Sequence, residues 1–247
     1  MIDFHTHILP GIDDGSKDID MTEAMLEEEK KQGVELICAT PHFYAHRMSF
    51  DDFLENRKSA ADMTAELREK RPELPDILTG AEVYYFQGMG QAKRTRELCV
   101  TGTDTILVEM PFAQWKEDVL RDIEDLIYKQ HLTVVIAHIE RYYEFQKNKA
   151  IWDEVFDLPL TRQVNAGSFL KGWLKSRFVT KVLKEHPETL IGSDCHNLDT
   201  RKPNLLEARD VINKKAGTAA LETSDRHLAE LLAGAVDIHG NVIDRER

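Results

Sequence analysis

The sequence predicts a single α/β domain over residues 1–247, built as a distorted, TIM-like (β/α)7 barrel of parallel strands. Three observations predict it. Short β-branched or apolar runs recur seven times, segments with helical spacing lie between them, and metal-capable residues gather at the ends of the runs. Apolar strands alternating with amphipathic helices belong to a parallel sheet covered on both faces. Barrels of this kind carry their chemistry at the C-terminal ends of the strands. With 42% hydrophobic residues in a chain of 247, a full core can be buried. No Pro/Gly/Ser-rich linker, low-complexity tract or long repeat divides the chain.

The first run, 1–5, opens into His5-Thr6-His7-Ile8-Leu9-Pro10-Gly11-Ile12-Asp13-Asp14-Gly15-Ser16. In extended backbone His5 and His7 point to the same face, so one strand end offers two imidazoles to a single ion. The Gly-Ile-Asp-Asp-Gly turn can swing a carboxylate back towards them. A strand followed by an Asp-Gly turn accounts equally well for an isolated His-x-His, so the weight falls on the rest of the chain. Helical spacing covers 21–32, with Asp20 and Glu23 at capping-box distance and Gly33 placed to end the helix.

The second run, 34–40, leads to Pro41 and His42, and the third, 77–85, contains Glu82. The fourth, 105–110, carries Glu109. A helix at 117–129 comes next, with Val119, Leu120, Ile123, Leu126 and Ile127 on one face. The fifth run, 132–138, ends on His138 with Arg141 three residues beyond. The sixth is 162–165, and the seventh, 189–193, stops before Asp194-Cys195-His196.

A His or Glu at one strand end is usually a hydrogen-bonded loop residue. Glu82 and Glu109 are harder to dismiss, because each follows apolar strand residues where a carboxylate needs a cation or dense hydrogen bonding to stay ionised. With Asp14 included, the set holds five histidines and four carboxylates: His5, His7, His42, His138, His196, Asp14, Glu82, Glu109 and Asp194. That exceeds one tetrahedral site and suffices for two or three ions sharing carboxylates. Imidazole and carboxylate without thiolate fit Mn²⁺, Fe²⁺ or Zn²⁺. Several divalent ions would outweigh four carboxylates and make the pocket locally cationic, attracting phosphate. Arg141 and Arg201 lie close to these ligands in sequence, and two guanidinium forks suit a phosphoryl group. The combination favours phosphate-ester hydrolysis over amide hydrolysis or deamination.

Other classes are disfavoured. A net charge of −12 argues against nucleic acid and anionic membranes as partners. No apolar run approaches membrane-spanning length, and candidate ligands as early as His5 leave no room for a cleavable signal, so the expected location is cytoplasmic. Cys38, Cys99 and Cys195 are odd in number and unpatterned, as reduced cytosolic thiols are. Cys195 to Arg201 spells Cys-x5-Arg, the spacing of thiolate-dependent tyrosine phosphatases. Asp194 precedes the cysteine, no glycine lies in the loop and Lys202 follows the arginine, which is a poor setting for a thiolate. His46, His131, His186, His227 and His239 carry no ligand spacing and read as structural or solvent-exposed.

The ordered set His5 to Ser16, Ala39-Thr40-Pro41-His42, Gly80-Ala81-Glu82, Val108-Glu109, Ala137-His138-Ile139-Glu140-Arg141 and Gly192-Ser193-Asp194-Cys195-His196-Asn197 resembles the polymerase and histidinol phosphatase (PHP) superfamily. Within it, the likeness is to the bacterial CpsB/CapC-type protein-tyrosine phosphatases. The resemblance implies a distorted barrel with three divalent ions, often Mn²⁺, that dephosphorylates the tail of a bacterial tyrosine autokinase controlling capsule or exopolysaccharide synthesis. Carried over by residue, one ion would lie between His5, His7, Glu82 and Asp194. A second would share Glu82 and take Glu109 and His138, and a third would be held by Asp14, His42 and His196, with Asp13 as the alternative to Asp14. Histidinol-phosphatase-like relatives are expected to have histidines where this chain has Asp14 and Glu109.

The same resemblance implies in-line attack on phosphorus by metal-activated water, with Arg141 and Arg201 on the non-bridging oxygens. A phenol leaving group, with a pKa of about 10, needs little protonation, and no general acid is assigned. Ten of the nineteen aromatic residues fall within seven positions after a ligand, which suggests a collar for a planar ring. Tyr84, Phe112 and Tyr142 are the residues expected to flank a phosphotyrosine. Two other readings remain: a related phosphoesterase acting on a small phosphate such as histidinol phosphate, and a non-catalytic, metal-stabilised phosphopeptide-binding module.

Overall fold

The computed structural model describes residues 1–236 and Val242. Strands and helices alternate, and among the described residues every pairing between the strands named here is parallel. The elements are β1 (Ile2–Thr6), α1 (Ile19–Lys31), β2 (Leu36–Ala39), β3 (His42–Phe43), α2 (Phe50–Lys70), β4 (Asp76–Thr79), β5 (Glu82–Tyr84) and β6 (Thr105–Glu109). They continue with α3 (Glu117–Tyr128), β7 (Thr133–Ile136), α4 (Ala150–Asp157), β8 (Thr161–Asn165), α5 (Ala166–Leu170), α6 (Trp173–Glu185), β9 (Leu190–Gly192), α7 (Leu205–Lys215) and α8 (Thr218–Leu232).

The expected strand at 77–85 is broken in two, and the one at 34–40 is followed by a further short strand outside its expected bounds. Pro41, which has no N–H to give a ladder, separates β2 from β3, and Gly80-Ala81 separates β4 from β5. The pieces sort into a three-stranded sheet, β1-β2-β4, and a six-stranded one, β3-β5-β6-β7-β8-β9. The result is a curled parallel sheet in two sections rather than one continuous ring of seven strands. Where β9 meets β1, a single bridge joins Thr6 and Cys195. Asp194 N donates to His5 O at 2.8 Å, and His7 N donates to Cys195 O at 2.9 Å.

Two apolar layers result from the alternation along the strands. Phe4, Leu36, Cys38, Leu78, Leu107, Val135 and Leu190 gather inside the curl, joined by Leu228 and Leu232 of α8. Ile37, Ala39, Ile106, Val108, Ile136 and Val164 face outward against helices and loops. The α8 contacts, Ser224 Oγ to Thr189 O at 2.7 Å and His227 Nε2 with Thr161 Oγ1 at 2.8 Å, lie at the starts of β9 and β8. With that end plugged, the opposite mouth is left for chemistry.

The first helix begins two residues earlier than its spacing suggests. Asp18, not Asp20, is the cap, its carboxylate accepting from Met21 N at 2.9 Å. Gly33 ends α1 as expected, at φ +83°, a left-handed conformation open to glycine. In α3 the buried stripe is Val119, Ile123 and Leu126.

Candidate metal centre

Strand β1 aims its histidines through a bulge. Asp3 pairs with Ile37 and Thr6 with Ala39, so β1 carries one residue more than its partner over this stretch. Such an insertion shifts the alternation of side chains: Phe4 lies in the inner core, and His5 and His7 beyond it reach the mouth. The irregular His5 N–H is taken up by Asp3 Oδ1 at 3.2 Å, and the same oxygen accepts from Ser193 N at 2.9 Å, tying β1 to β9. The turn after His7 folds back so closely that a Cβ on Gly15 would overlap His7 O. That close approach carries Asp13 and Asp14 to the histidines.

All nine expected ligand residues converge at this mouth. Glu82, fully buried at the start of β5, is the hub: its Oε2 lies 3.1 Å from His5 Nε2, 3.2 Å from His7 Nε2 and 3.1 Å from His42 Nδ1. Its Oε1 lies 2.7 Å from His138 Nε2. Glu109 stands 3.6 Å from His138 and 3.9 Å from His42. Asp194 Oδ1 is 3.7 Å from His5 and 3.5 Å from His7. Asp14 Oδ1 is 3.6 Å from His42 and 3.5 Å from His196.

Three overlapping groups have ligand atoms mutually within 4.8 Å: His5, His7, Glu82 and Asp194; His7, Asp14, His42 and His196; and His42, Glu82 and Glu109. The first matches the set carried over from the resemblance. In the second His7 joins the expected trio, and in the third His42 stands where His138 was expected, although His138 also touches both carboxylates.

The donors fit divalent cations. Glu82 Oε2, His42 Nδ1 and His196 Nε2 are buried and lack hydrogen-bond partners, a condition that native proteins rarely tolerate unless an ion or water completes it. His5 Nε2 and His7 Nε2 face each other at 3.2 Å. Burial lowers the His7 pKa, but Asp13 and Glu82 outweigh it and hold the imidazole up at about 10. Burial and then Glu82 raise Glu109 to about 8. For His42, burial dominates and brings the ring down to about 4. Burial opposes ionisation of Asp194, yet His5 and Arg141 hold it well below the usual carboxylate range.

The remaining expectations divide. Asp14 faces the cluster, whereas Asp13 stands behind it, bonded to His7 Nδ1 at 2.7 Å and accepting from His42 N at 3.0 Å and Gly15 N at 2.9 Å. Arg141 and Arg201 both reach Asp194, Arg201 at 2.5 Å, and each is about one-third exposed, at 31% and 33%. The 194–201 loop is fixed by Asn197, whose Oδ1 accepts from the backbone N–H groups of Asp199, Thr200 and Arg201. Phe112 is exposed, its ring stacked 6.4 Å from His138, and Tyr84 is half-buried beside Tyr44 at 5.5 Å.

Tyr142 is corrected. It is fully buried, so it has no face for a substrate ring, and its Oη instead meets His138 Nδ1 at 2.9 Å and accepts from Met110 N at 3.0 Å. Phe43 and Trp115 are likewise buried in the core.

Sequence reasoning missed three further positioning groups. Gln163 Oε1 accepts from His138 N at 2.6 Å and lies 3.3 Å from His5 Nδ1. Asn165 Nδ2 donates to Asp194 Oδ2 at 2.6 Å. Glu140 anchors the start of α5 through Asn165 N and Ser168 Oγ. The parity of β8 was an available signal, since Gln163 and Asn165 are two apart and so share one face of the strand. His138 and Asp194 also sit at positive φ, 26° and 55°, strain of the kind found at functional sites.

Cys195 cannot serve the Cys-x5-Arg reading. Its thiol is buried on the helix side of the seam, donating to Glu29 Oε1 at 3.6 Å, and burial followed by Glu29 and Asp3 pushes its pKa well up. Of the histidines set aside, His46 and His131 are exposed, His186 and His227 pair with Glu188 and Glu230, and His239 lies outside the described residues.

A parallel α/β sheet with histidines and carboxylates crowded at its C-terminal mouth defines a candidate multi-metal centre of the hydrolytic kind. The chain belongs to the CpsB/CapC family, described as capsular polysaccharide synthesis, which it matches over residues 1–228. It is 30% identical over 226 residues to the tyrosine-protein phosphatase CpsB of Streptococcus agalactiae serotype III (strain NEM316), covering 88% of this chain and 91% of the relative. To the tyrosine-protein phosphatase YwqE of Bacillus subtilis (strain 168) it is 31% identical over 228 residues, covering 88% and 86%. The fold matches a crystal structure from work on YwqE of B. subtilis and CpsB of Streptococcus pneumoniae, described as unique metal-dependent tyrosine phosphatases. The TM-score is 0.82 at 26% identity, covering 99% of this chain and 100% of the other.

Proposed function

We propose that this protein is a metal-dependent protein-tyrosine phosphatase, a phosphoric monoester hydrolase whose substrate is a tyrosine-phosphorylated protein in capsule or exopolysaccharide synthesis. The reading takes residues 1–247 as one catalytic domain and the curled sheet as a distorted (β/α)7 barrel, supported by the two backbone hydrogen bonds that join β1 to the segment after β9. One observation carries the function: three overlapping groups of ligand atoms share one mouth with two partly exposed guanidiniums. The names of the relatives supply the phosphotyrosine; the tail of a tyrosine autokinase is the substrate the resemblance implies. Among the described residues no helix is long and apolar enough to cross a membrane, and we place the protein in the cytoplasm.

His5, His7, Asp14, His42, Glu82, Glu109, His138, Asp194 and His196 hold up to three divalent ions, with Mn²⁺ the first choice and Fe²⁺ or Zn²⁺ compatible with the donors. Such ions supply Lewis acidity and water acidic enough to attack at neutral pH. The protein's own groups do the rest. Asp13, Gln163 and Tyr142 fix the His7, His5 and His138 rings through the nitrogens facing away from the cluster, which sets their tautomers. Arg141 and Arg201 keep donors free beyond Asp194 and neutralise the equatorial phosphoryl oxygens. Phe112 and Tyr84 flank the phenyl ring. A phenolate leaves without a dedicated acid, because its conjugate pKa is only about 10.

Phosphate release from a phosphotyrosyl peptide tests the reading. Chelation is expected to abolish it and added Mn²⁺ to restore it, while Cys195→Ser keeps most activity. Loss in the serine variant together with resistance to chelation would overturn the metal mechanism. Faster release from alkyl phosphates, histidinol phosphate among them, would overturn the substrate class. Undiminished peptide binding without turnover after metal is restored would favour a binding module.

Metal loading is also expected to expel protons. With a pKa of about 10 in the metal-free protein, His7 is charged at pH 7.5, and Glu109 at about 8 is largely protonated. A cation must displace these protons, so its apparent affinity rises with pH by about tenfold per unit for each proton displaced, with both groups contributing from pH 6 to about 8 and His7 alone from there to pH 9. Indicator dye in weak buffer measures the release during Mn²⁺ titration. Affinity independent of pH over this window would show that His7 and Glu109 do not hold these protons in the metal-free protein.

A further inference from the structure

Two clefts open beside the metal centre and share Arg141 and Lys175. The smaller, about 190 Å³, runs from Asp194 past the 166–171 segment to Lys202. The larger, about 630 Å³, lies between Phe112, Tyr143, Phe145 and Leu174. Those four are exposed, by 41%, 46%, 37% and 75%, and with Phe178 they give the cleft apolar walls between the charged Glu140, Arg141, Glu144 and Lys175, a surface suited to interaction.

Charge in the smaller cleft is opposite to that of the whole chain. Arg141, Lys171, Lys175, Arg201 and Lys202 line it against Asp194 and Asp199. Both arginines already engage Asp194. Lys202 lies 3.9 Å from Glu207. Lys171 and Lys175 make no ion pair among the described residues. At physiological salt, charges beyond about 8 Å are largely screened, so a ligand here meets the local cations and not the net −12. The guanidinium forks stand at the metal end, where a phosphoryl group belongs. The outer lysines are compact point charges on flexible stems, able to meet a single anionic side chain such as a carboxylate without a fixed geometry.

We propose that this cleft is a specificity subsite for a carboxylate side chain, an Asp or Glu of the substrate peptide close to the phosphotyrosine, held by Lys171 and Lys175. The adjoining apolar groove takes neighbouring side chains of the same peptide. The inference rests on the phosphatase reading and adds to it a sequence preference that a small aryl phosphate cannot report.

The test uses manganese-loaded protein and two phosphotyrosyl peptides that differ only in Glu or Gln beside the phosphotyrosine. The Glu peptide is expected to have a kcat/KM about tenfold higher, equivalent to ~1.4 kcal/mol. In the double variant Lys171→Glu/Lys175→Glu the preference is expected to vanish or invert, with each rate normalised to phenyl phosphate turnover by the same preparation. The same peptides carrying a non-hydrolysable phosphonate are titrated by fluorescence anisotropy and are expected to show a matching ratio of Kd. Equal kcat/KM on both peptides in the unmodified protein, or a preference that survives the double substitution, overturns the subsite and leaves the phosphatase reading standing. A binding preference abolished by the double substitution, with no phosphate released from any substrate, upholds the subsite and overturns the phosphatase reading.

Discussion

Glutamine in place of Glu82 is expected to lower phosphotyrosine hydrolysis by about 10³-fold or more, equivalent to ~4 kcal/mol of barrier. Its two oxygens lie within 3.2 Å of nitrogens on four histidines, His5, His7, His42 and His138. The amide keeps the volume of the side chain, so packing around it is preserved. It replaces one oxygen with a donor and removes a negative charge where cations must gather. Because Glu82 belongs to two of the three ligand groups, metal content measured on the purified variant is expected to fall by more than one ion. A variant with full metal content and full turnover would show that the carboxylate is not shared between sites.

Alanine at Arg141 or Arg201 is expected to reduce kcat/KM by about 10²–10³-fold, the scale seen when one donor to developing charge is removed. Each guanidinium also touches Asp194, so two roles must be separated. If the arginines act on the phosphoryl group, the variants keep their metal and lose kcat. If they only hold Asp194, metal content falls along with activity. Lysine is expected to restore little in either position, since it supplies the charge without the fork. Activity within about threefold of the unmodified protein in both alanine variants would remove the arginines from the chemistry, as that is under 1 kcal/mol.

The candidate ligands are legible in the sequence because their positions obey a rule of topology: the C-terminal end of a buried parallel strand is where a fold of this class presents side chains. Glu109 and His138 can be placed on that ground before any geometry is known, whereas Glu82 proves to open β5, just beyond the end of β4. What periodicity cannot reveal is local backbone irregularity. The bulge in β1 changes which residues face inward by one position, and nothing in Asp3-Phe4-His5 marks it except an aspartate able to accept the irregular N–H. The choice between Asp13 and Asp14 depends on how tightly the turn closes over Gly15. The break at Gly80-Ala81 is hidden by continued apolar sequence on both sides, and the strand after Pro41 is too short, at two residues, for periodicity to register. Tyr142 misleads because closeness in sequence to a ligand does not tell which side of the ligand a ring lies on; it lies behind His138 and not in front. Gln163 and Asn165 sit on a strand without a ligand, yet they orient ligands from β1, β7 and the segment after β9.

The join between β9 and β1 brings His5 and His7 from the start of the chain against Asp194 and His196, so the centre is completed by contacts of very large sequence separation. Long-range pairing of this kind is slow, because the loop must close before its contacts reward it. During synthesis the two amino-terminal imidazoles are therefore exposed for as long as it takes the ribosome to make nearly two hundred further residues. A polypeptide that stops before residue 194 lacks Asp194 and His196, and with them a member of two of the three ligand groups, so most of the centre waits on that segment.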